Sequence, residues 1–283
     1  MHIHSLKDSS FEQIHDAFST AFADYEIQLN KQELKNMLQR RGFVPELSFA
    51  AMEGEAIVSF TLNGIGDFNG RKTAYDTGTG TIPDFRGQGL ATKIFEYSIP
   101  YLKEAGVQQY LLEVLQHNTK AVNIYRNIGF EVSREFNYFV RDAKELSIPQ
   151  GNKNASVSIQ EIGIEACMSL QNHMDFHPSW QNSFAAIQRQ KDKFIVFGAF
   201  YQGNLVAYCI LESCSGDITQ LLVKRECRRQ GVGTTLLKAA IERNEFSSVK
   251  VINTDVHCQS ITAFLNSFNI PVSGKQFEMI KTL

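Results

Sequence analysis

Residues 82–92, Ile-Pro-Asp-Phe-Arg-Gly-Gln-Gly-Leu-Ala-Thr, connect a run of strand-forming residues to an amphipathic run with helical spacing. The order strand, glycine-bearing turn, helix is typical of an anion site. Glycine lets the backbone approach a ligand closely, and the first N–H groups of a helix point outward along a favourable dipole. The stretch therefore predicts a phosphate-binding turn between a strand over 73–82 and a helix from Leu90.

The chain carries this turn twice. Residues 223–234, Val-Lys-Arg-Glu-Cys-Arg-Arg-Gln-Gly-Val-Gly-Thr, again follow a strand-like run and open an amphipathic one. The turn arginines Arg86 and Arg228 are 142 residues apart, and the strand-like runs 111–114 and 251–254 are 140 residues apart. Two motifs in one order at nearly one separation predict an internal duplication.

Composition places the chain among globular proteins. Its 283 residues are 43% hydrophobic and 20% charged, which suits two domains that each bury a core. The chain has 28 Lys and Arg and 30 Asp and Glu, so its net charge is close to zero and we expect neither a nucleic-acid nor a membrane partner. The start of the chain lacks the apolar segment of an export signal, and its five cysteines form no Cys-x-x-Cys pair. A cytoplasmic protein with reduced thiols is expected.

Each half predicts an α+β (mixed α/β) domain around one central sheet. The first domain is placed at 1–143, a turn-rich linker at 144–155, and the second domain at 156–283. In the second domain, turn residues interrupt the apolar run 194–211, which predicts a β-hairpin rather than a membrane span. Helices are predicted over 164–176 and 180–190.

The motif series resembles that of the GNAT acetyltransferases: Arg-x-x-Gly-x-Gly/Ala after a strand, a second strand, then Asn-x-x-Ala-x-x-x-Tyr-x-x-x-Gly-Phe. The first half carries the complete series at Arg86, Gly89, Ala91, Asn118, Ala121, Tyr125, Gly129 and Phe130. The second half carries it in part. This resemblance implies two tandem GNAT folds, each with a mixed, mostly antiparallel sheet flanked by helices. It also implies an N-acetyltransferase with acetyl-CoA as donor, a primary amine as acceptor and no metal.

Glu113 is the first candidate for the general base. In a strand, Leu112 and Val114 would face one side and Glu113 the other, so the residues alone suggest a solvent-facing carboxylate. Its spacing to Asn118 and Tyr125 is similar to that of the ribosomal-protein N-terminal acetyltransferases, which implies that Glu113 deprotonates the amine. Asp76, on the strand before the turn, is the alternative base, or the carboxylate that orders a water.

Tyr125 lies in an apolar stripe at helical spacing, where a tyrosine usually fills core. The resemblance implies that it instead protonates the leaving thiolate. Asn118 is both a helix cap and, by resemblance, a contact to the pantetheine arm of CoA. The predicted donor-binding residues are Ile82, Arg86, Gly87, Gln88, Gly89, Leu90, Ala91, Thr92, Asn118 and Tyr125.

The second half departs from the series where proton transfer would occur. Asn253 stands where the first half has Glu113, and Leu265 stands where it has Tyr125. Asn accepts no proton at neutral pH and Leu donates none, so we predict a non-catalytic half. Its turn is kept, which leaves a possible second CoA site at Val223, Arg228, Arg229, Gln230, Gly231, Val232, Gly233 and Thr234.

The acceptor is read as a small-molecule or peptide amine. Asp24 and Glu26 occupy the region where the family binds substrate and would suit a cation, although a solvated acidic loop fits the same residues. His173 and His177 have i, i+4 spacing without the Glu of a zinc motif, so no metal is expected.

Two other functions fit the duplication. One is non-catalytic acyl-CoA binding or sensing. The other is aminoacyl transfer, but the absence of a basic surface argues against it. The sequence does not determine the oligomeric state.

Overall fold

The computed structural model describes residues 2–24, 28–149 and 157–283, and the chain forms two compact units. Unit 1 comprises Met1–Ser133 and Phe277–Leu283, and unit 2 comprises Arg134–Gln276. The units differ from the sequence halves 1–143 and 156–283. The end of the chain packs in the core of unit 1, and residues 136–142 pair with a strand of unit 2.

Unit 1 contains five strands and four helices of its own among the described residues, in the order β1 (His2–Ser5), α1 (Phe11–Ala21), α2 (Lys31–Arg41), β2 (Phe49–Glu53), β3 (Ala56–Phe68), β4 (Arg71–Thr81), α3 (Leu90–Glu104), β5 (Gln109–Leu115) and α4 (Thr119–Asn127). The sheet order is β1-β2-β3-β4-β5, and the end of the last strand, β12 (Val272–Thr282), lies beside β5. Its neighbours pair antiparallel from β1 to β4, whereas β4 and β5 are parallel.

Local sequence explains where the first helices begin and end. Ser10 caps α1 and Asn30 caps α2, each in a reciprocal capping box with the residue at the third helical position. Gly42 ends α2 in the left-handed conformation, with φ of 78°. Glycine adopts this conformation with little strain because it has no Cβ.

Helices cover both faces of the unit 1 sheet. On one face, Phe18 of α1 and Leu34 of α2 pack with Phe60 of β3. On the other, Phe95 of α3 packs with β5 and with Met279 of β12. The last strand of the chain is thus a core element of unit 1.

Unit 2 is built from elements in the order β6 (Glu131–Asp142), β7 (Ser158–Glu161), α5 (Ile164–Met168), α6 (Phe184–Gln188), β8 (Phe194–Tyr201), β9 (Asn204–Glu212), β10 (Asp217–Val223), α7 (Val232–Glu242), β11 (Ser248–Asp255) and α8 (Gln259–Ser267). Strand β6 begins in unit 1, and the start of β12 belongs to unit 2. The sheet order is β12-β6-β11-β10-β9-β8-β7, and β10 and β11 are parallel.

The described elements confirm the mixed α+β class and the hairpin, formed by β8 and β9. The predicted helices over 164–176 and 180–190 were too long. Helix α5 stops at Met168, Met174 is extended, and α6 has five residues. Among the described residues, no helix is long and apolar enough to cross a membrane.

The place of β12 in unit 1 predicts a local loss of stability. Met279 is fully buried, so Met279→Ala should cost about 2–4 kcal/mol through lost burial and a residual cavity. Hydrogen exchange should then accelerate in β5 and α3 and stay unchanged in β8 and β9. Val132→Ala, at a site that is 38% exposed, is the control and should change little. Equal acceleration in both units would contradict the assignment of β12.

Candidate active site

The predicted phosphate turn of unit 1 has the backbone that its glycines allow. A 3₁₀ turn over Pro83–Phe85 follows β4, and Gly87 and Gly89 take φ of 81° and 71°. Gly89 directly precedes α3, which begins at Leu90. The first N–H groups of a helix have no partner within it, so this turn presents donors to an anion.

Beyond the turn, β4 and β5 diverge. Their parallel pairing runs from Thr73 with Gln109 to Tyr75 with Leu111 and then ends. Thr77 forms a bulge in β4, because Leu62 of β3 pairs with Gly78 while the next residue pairs with Asp76. The divergence opens a gap beside the residues that follow the last pair.

Asp76 and Tyr125 meet in this gap. The Tyr125 hydroxyl donates to Asp76 Oδ2 over 3.2 Å, and the hydroxyl of Thr79 donates to the same oxygen over 2.8 Å. The N–H of Gly78 donates to Oδ1 over 2.9 Å. Desolvation raises the pKa of Asp76 to about 6, against these hydrogen bonds, which lower it. The carboxylate is therefore ionised at neutral pH but can take up a proton near it.

Glu113 lies on the other face of the sheet from this pair. Leu112 and Val114 pack in the core under α3 and α4, so alternation turns Glu113 toward the face of α1 and α2. There the hydroxyl of Tyr75 hydrogen-bonds to the Glu113 carboxylate. Burial, followed by the charge of Glu113, raises the pKa of Tyr75 well above its usual value. Arg41 of α2 lies 6.0 Å from the Tyr75 ring centroid.

Two carboxylate–tyrosine pairs thus lie where β4 and β5 diverge: Asp76 with Tyr125, which line the small cavity on one face of the sheet, and Glu113 with Tyr75 on the other face. The sequence analysis assigned no role to Tyr75. The alternation of β4 could have identified it, because adjacent strand residues point to opposite faces. The unit 1 gap is small, with a volume of about 10 Å³.

The other candidate residues of unit 1 have identified places. Asn118 Oδ1 accepts the N–H of Ala121 over 3.2 Å, which confirms its role as the cap of α4. Arg86 and Asp24 form an ion pair of 2.9 Å with one another. Glu26 lies outside the described residues.

Unit 2 has a similar turn and a much larger cleft. Gly231 takes φ of 86° directly before α7, and Arg229 takes φ of 63° where unit 1 has Gly87. The cleft has a volume of about 520 Å³. It extends from this turn past β10 and β11 to Asn182, Tyr208, Gln220, Asn253 and Thr254.

Neutral groups line the inner end of this cleft. Tyr208 donates to Gln220 Oε1 over 2.8 Å, and Asn253 Nδ2 donates to Ser179 Oγ over 2.9 Å. Leu265, at the position of Tyr125, is fully buried in the core of unit 2. Thr254 Oγ1 is buried and finds no hydrogen-bond partner among residues 2–24, 28–149 and 157–283. In these same ranges, no group of three or more His, Cys, Asp or Glu could hold a metal.

The comparisons with known proteins agree with this architecture. The sequence model of the acetyltransferase (GNAT) family matches residues 11–130 and 164–258, which is more than half of the chain and includes both turns. The chain belongs to the GNAT acetyltransferase family. Members of this family use acetyl-CoA as the acyl donor and act on amine substrates.

Curated relatives match over part of their length. N-alpha-acetyltransferase 30 of Schizosaccharomyces pombe is 28% identical over 98 residues, which cover 34% of this chain and 65% of that protein. Mycothiol acetyltransferase of Thermobifida fusca is 31% identical over 121 residues, 40% of this chain and 38% of that protein. The chain thus spans less than two thirds of either relative.

Solved structures match over nearly the whole chain. A tandem GNAT protein from the clavulanic acid biosynthesis pathway has a TM-score of 0.74 at 13% identity, covering 99% of this chain and 98% of that one. A GCN5-related N-acetyltransferase from Sphaerobacter thermophilus has a TM-score of 0.72 at 12% identity, covering 99% and 95%. At these identities the likeness is one of fold, and it confirms the tandem GNAT architecture.

Asp76 should give the protein a pH-dependent stability. A carboxyl whose pKa is higher in the folded state than in the unfolded state stabilises the fold less as pH rises from about 4 to 6. With a folded pKa of about 6, the loss amounts to about 2–3 kcal/mol. The stability of Asp76→Asn relative to wild type should therefore improve by that amount between about pH 4 and pH 7. Urea unfolding at both pH values measures the difference, and a difference independent of pH would contradict it.

Proposed function

We propose that the chain is an acetyl-CoA-dependent N-acetyltransferase whose reaction takes place in unit 1. The observation that carries this proposal is Tyr125, a proton donor, with the carboxylates of Asp76 and Glu113 on the two faces of the sheet beside it. A proton acceptor and a proton donor are the groups that amine acetylation requires. At the corresponding positions unit 2 has the residues Ile218, Asn253 and Leu265, which transfer no protons.

The donor would bind along the turn and the gap. Its pyrophosphate would accept hydrogen bonds from backbone N–H groups between Gly87 and Thr92, where glycine conformations and the start of α3 converge. The pantetheine arm would pass Asn118 and bring the thioester to Tyr125. Because the cavity beside Tyr125 has a volume of only about 10 Å³, donor entry would require the side chains around it to move.

The two carboxylate–tyrosine pairs suggest a division of roles. Glu113 faces the side of α1 and α2, opposite Tyr125, so an amine approaching from that side would lose its proton to Glu113. The neutral amine then forms a bond to the thioester carbonyl carbon, and the carbon–sulfur bond breaks. Tyr125 gives its proton to the departing thiolate of CoA. Asp76 would orient Tyr125 and remains the alternative base.

The acceptor is proposed as a primary amine. The relatives named for their acceptor atom include an N-alpha-acetyltransferase and a thialysine N-epsilon-acetyltransferase, which is 42% identical over 48 residues. Both names refer to acetylation of an amine nitrogen, but the amines belong to different molecules. We therefore propose a primary amine as the class of acceptor.

A second candidate function is non-catalytic binding of acyl-CoA in unit 2. It is favoured by the 520 Å³ cleft, which opens beside the turn at Gly231 and is lined by neutral groups at its inner end. The buried Thr254 hydroxyl would gain a hydrogen-bond partner from a ligand there. Both functions can coexist in one chain.

Donor binding is tested by titrating acetyl-CoA calorimetrically into wild type, Gly89→Glu and Gly231→Glu. A carboxylate in either turn should abolish binding to that unit by sterics and charge. Gly70→Glu is the matched control for Gly89→Glu, since both glycines have positive φ and open space around them, and Gly70 lies in the β3–β4 hairpin at the opposite end of β4 from the turn. Loss of binding only in Gly89→Glu places the donor in unit 1. Wild type without any affinity for acetyl-CoA would overturn both functions.

The roles of the side chains are tested by turnover with an amine found in an acceptor screen. Tyr125→Phe should lower kcat by roughly 10²-fold or more, while the affinity for CoA stays within about threefold. Tyr101→Phe, which removes an exposed hydroxyl on α3, is the control. Glu113→Gln should lower turnover more than Asp76→Asn does. The reverse order would make Asp76 the base, and full activity of Tyr125→Phe would make Tyr125 a core residue.

A further inference from the structure

The side chain of Arg86 donates hydrogen bonds to three acceptors outside its own turn. Its Nε donates to the carbonyl of Thr81 at the end of β4 over 3.2 Å. One terminal nitrogen, Nη2, donates to the carbonyl of Ala21 over 3.0 Å, and the other, Nη1, donates to Asp24 Oδ2 over 2.9 Å. Arg86 thereby joins β4, the end of α1 and the segment that follows α1.

These acceptors suit a guanidinium. Ala21 is the last residue of α1, so its carbonyl has no partner within the helix and lies at the negative end of the helix dipole. Asp24 adds a full negative charge next to it. A planar guanidinium can serve three acceptors in fixed directions at once, which the single ammonium group of lysine cannot do in this geometry.

Unit 2 repeats the arrangement with different residues. Arg228 Nε donates to the carbonyl of Val223 at the end of β10 over 2.9 Å, and its Nη1 pairs with Asp175 Oδ2 over 2.9 Å. Arg225 pairs with the other oxygen of Asp175 over 3.3 Å. Asp175 lies in the segment that follows α5, as Asp24 follows α1.

The recurrence in both units is informative because an isolated surface ion pair contributes little to the stability of a protein. The side chain of Asp24 is 67% exposed, and such pairs usually add less than about 1 kcal/mol. Here the same arginine position binds the same strand-end carbonyl and an aspartate of the same segment in two units whose other side chains differ. Chance pairing would not be expected to repeat all of these features.

We propose that Arg86 is a positioning residue, which fastens the segment after α1 to the phosphate turn, and that Arg228 does the same in unit 2. Arg86 would then act on the acceptor side of the site rather than as a ligand of the donor phosphates. In this scheme Asp24 holds the segment in place through Arg86 and does not itself bind the amine. The coupling of this segment to donor binding rests on the proposed function, whereas the fastening itself does not.

The test compares Arg86→Met, Asp24→Asn and Arg86→Lys in a Gly231→Glu background, so that CoA binding reports unit 1 alone. In the free protein, amide hydrogen exchange over residues 18–24 should accelerate about tenfold in Arg86→Met and less in the other two. The affinity for CoA should stay within about threefold. CoA should slow exchange over 18–24 in the background protein and no longer do so in Arg86→Met or Asp24→Asn.

A merely structural role would accelerate exchange throughout unit 1, so β3 serves as the internal reference and should not change. Arg228→Met is the matched variant in the wild-type chain, and it should accelerate exchange around Asp175 without affecting 18–24. A loss of CoA affinity of about thirtyfold or more in Arg86→Met, with unchanged exchange over 18–24, would make Arg86 a phosphate ligand and overturn the proposal. Unchanged exchange with unchanged affinity would overturn it as well.

Failure of the proposed function would give a different result. If the Gly231→Glu protein does not bind CoA, the proposed donor site in unit 1 is wrong. The exchange of residues 18–24 in the free variants would still support or overturn the fastening role of Arg86.

Discussion

The short parallel pairing of β4 with β5 is the constraint on which the site of unit 1 depends. Three residue pairs hold the strands together, and the divergence begins after Tyr75 and Leu111. The bulge at Thr77 has a second effect, because an extra residue exchanges the faces of all side chains beyond it. Thr79 therefore lies on the same face as Asp76 and donates to its carboxylate. Divergence and bulge together create a gap with polar groups on both sides.

The faces of the sheet separate the two candidate bases. Asp76 shares its face with Tyr125, and Glu113 shares the other with Tyr75. A direct transfer removes a proton from the amine and adds one to the thiolate, at atoms on different sides of the carbonyl carbon. An acceptor and a donor on opposite faces of the gap fit that requirement. Asp76 beside Tyr125 would place both groups on one side.

Features encoded within a few residues could be predicted from the sequence. The two turns depend on nearby glycines and a helix start, the hairpin of β8 and β9 on turn residues, and the capping of α4 on Asn118. These arrangements follow from local backbone preferences. The tandem GNAT architecture followed from the same motifs once their order was recognised.

Features that depend on distant residues were not accessible in the same way. Arg86 and Asp24 are 62 positions apart, and their pairing follows from how α1 packs beside β4. Met279 joins the core of unit 1 from β12, the last strand, whose own residues do not indicate which strands it lies beside. Helices α5 and α6 are short although their residues have helical spacing, since tertiary packing outweighs weak propensities.

The cavity of unit 1 is small because aromatic side chains fill the space around it. In unit 1, four aromatic rings pack edge to face or tilted around the gap, with centroids 5.2–5.7 Å apart: Phe95, Tyr110, Tyr125 and Phe130. Three of these positions correspond to aliphatic residues in unit 2, Leu237, Leu265 and Ile270. These three aliphatic residues are buried in the core of unit 2, and the cleft of about 520 Å³ is lined by other side chains of β10, β11 and α8.

The replacement of tyrosine by leucine at one of these positions has two consequences at once. It removes the hydroxyl that meets Asp76 in unit 1, and it removes the ring that fills the gap. Under the proposed function, unit 2 therefore lacks the hydroxyl that would protonate the thiolate. Its cleft lies beside β10 and β11, where Asn253 and Thr254 supply neutral polar groups, so unit 2 could bind a ligand without transferring a proton to it.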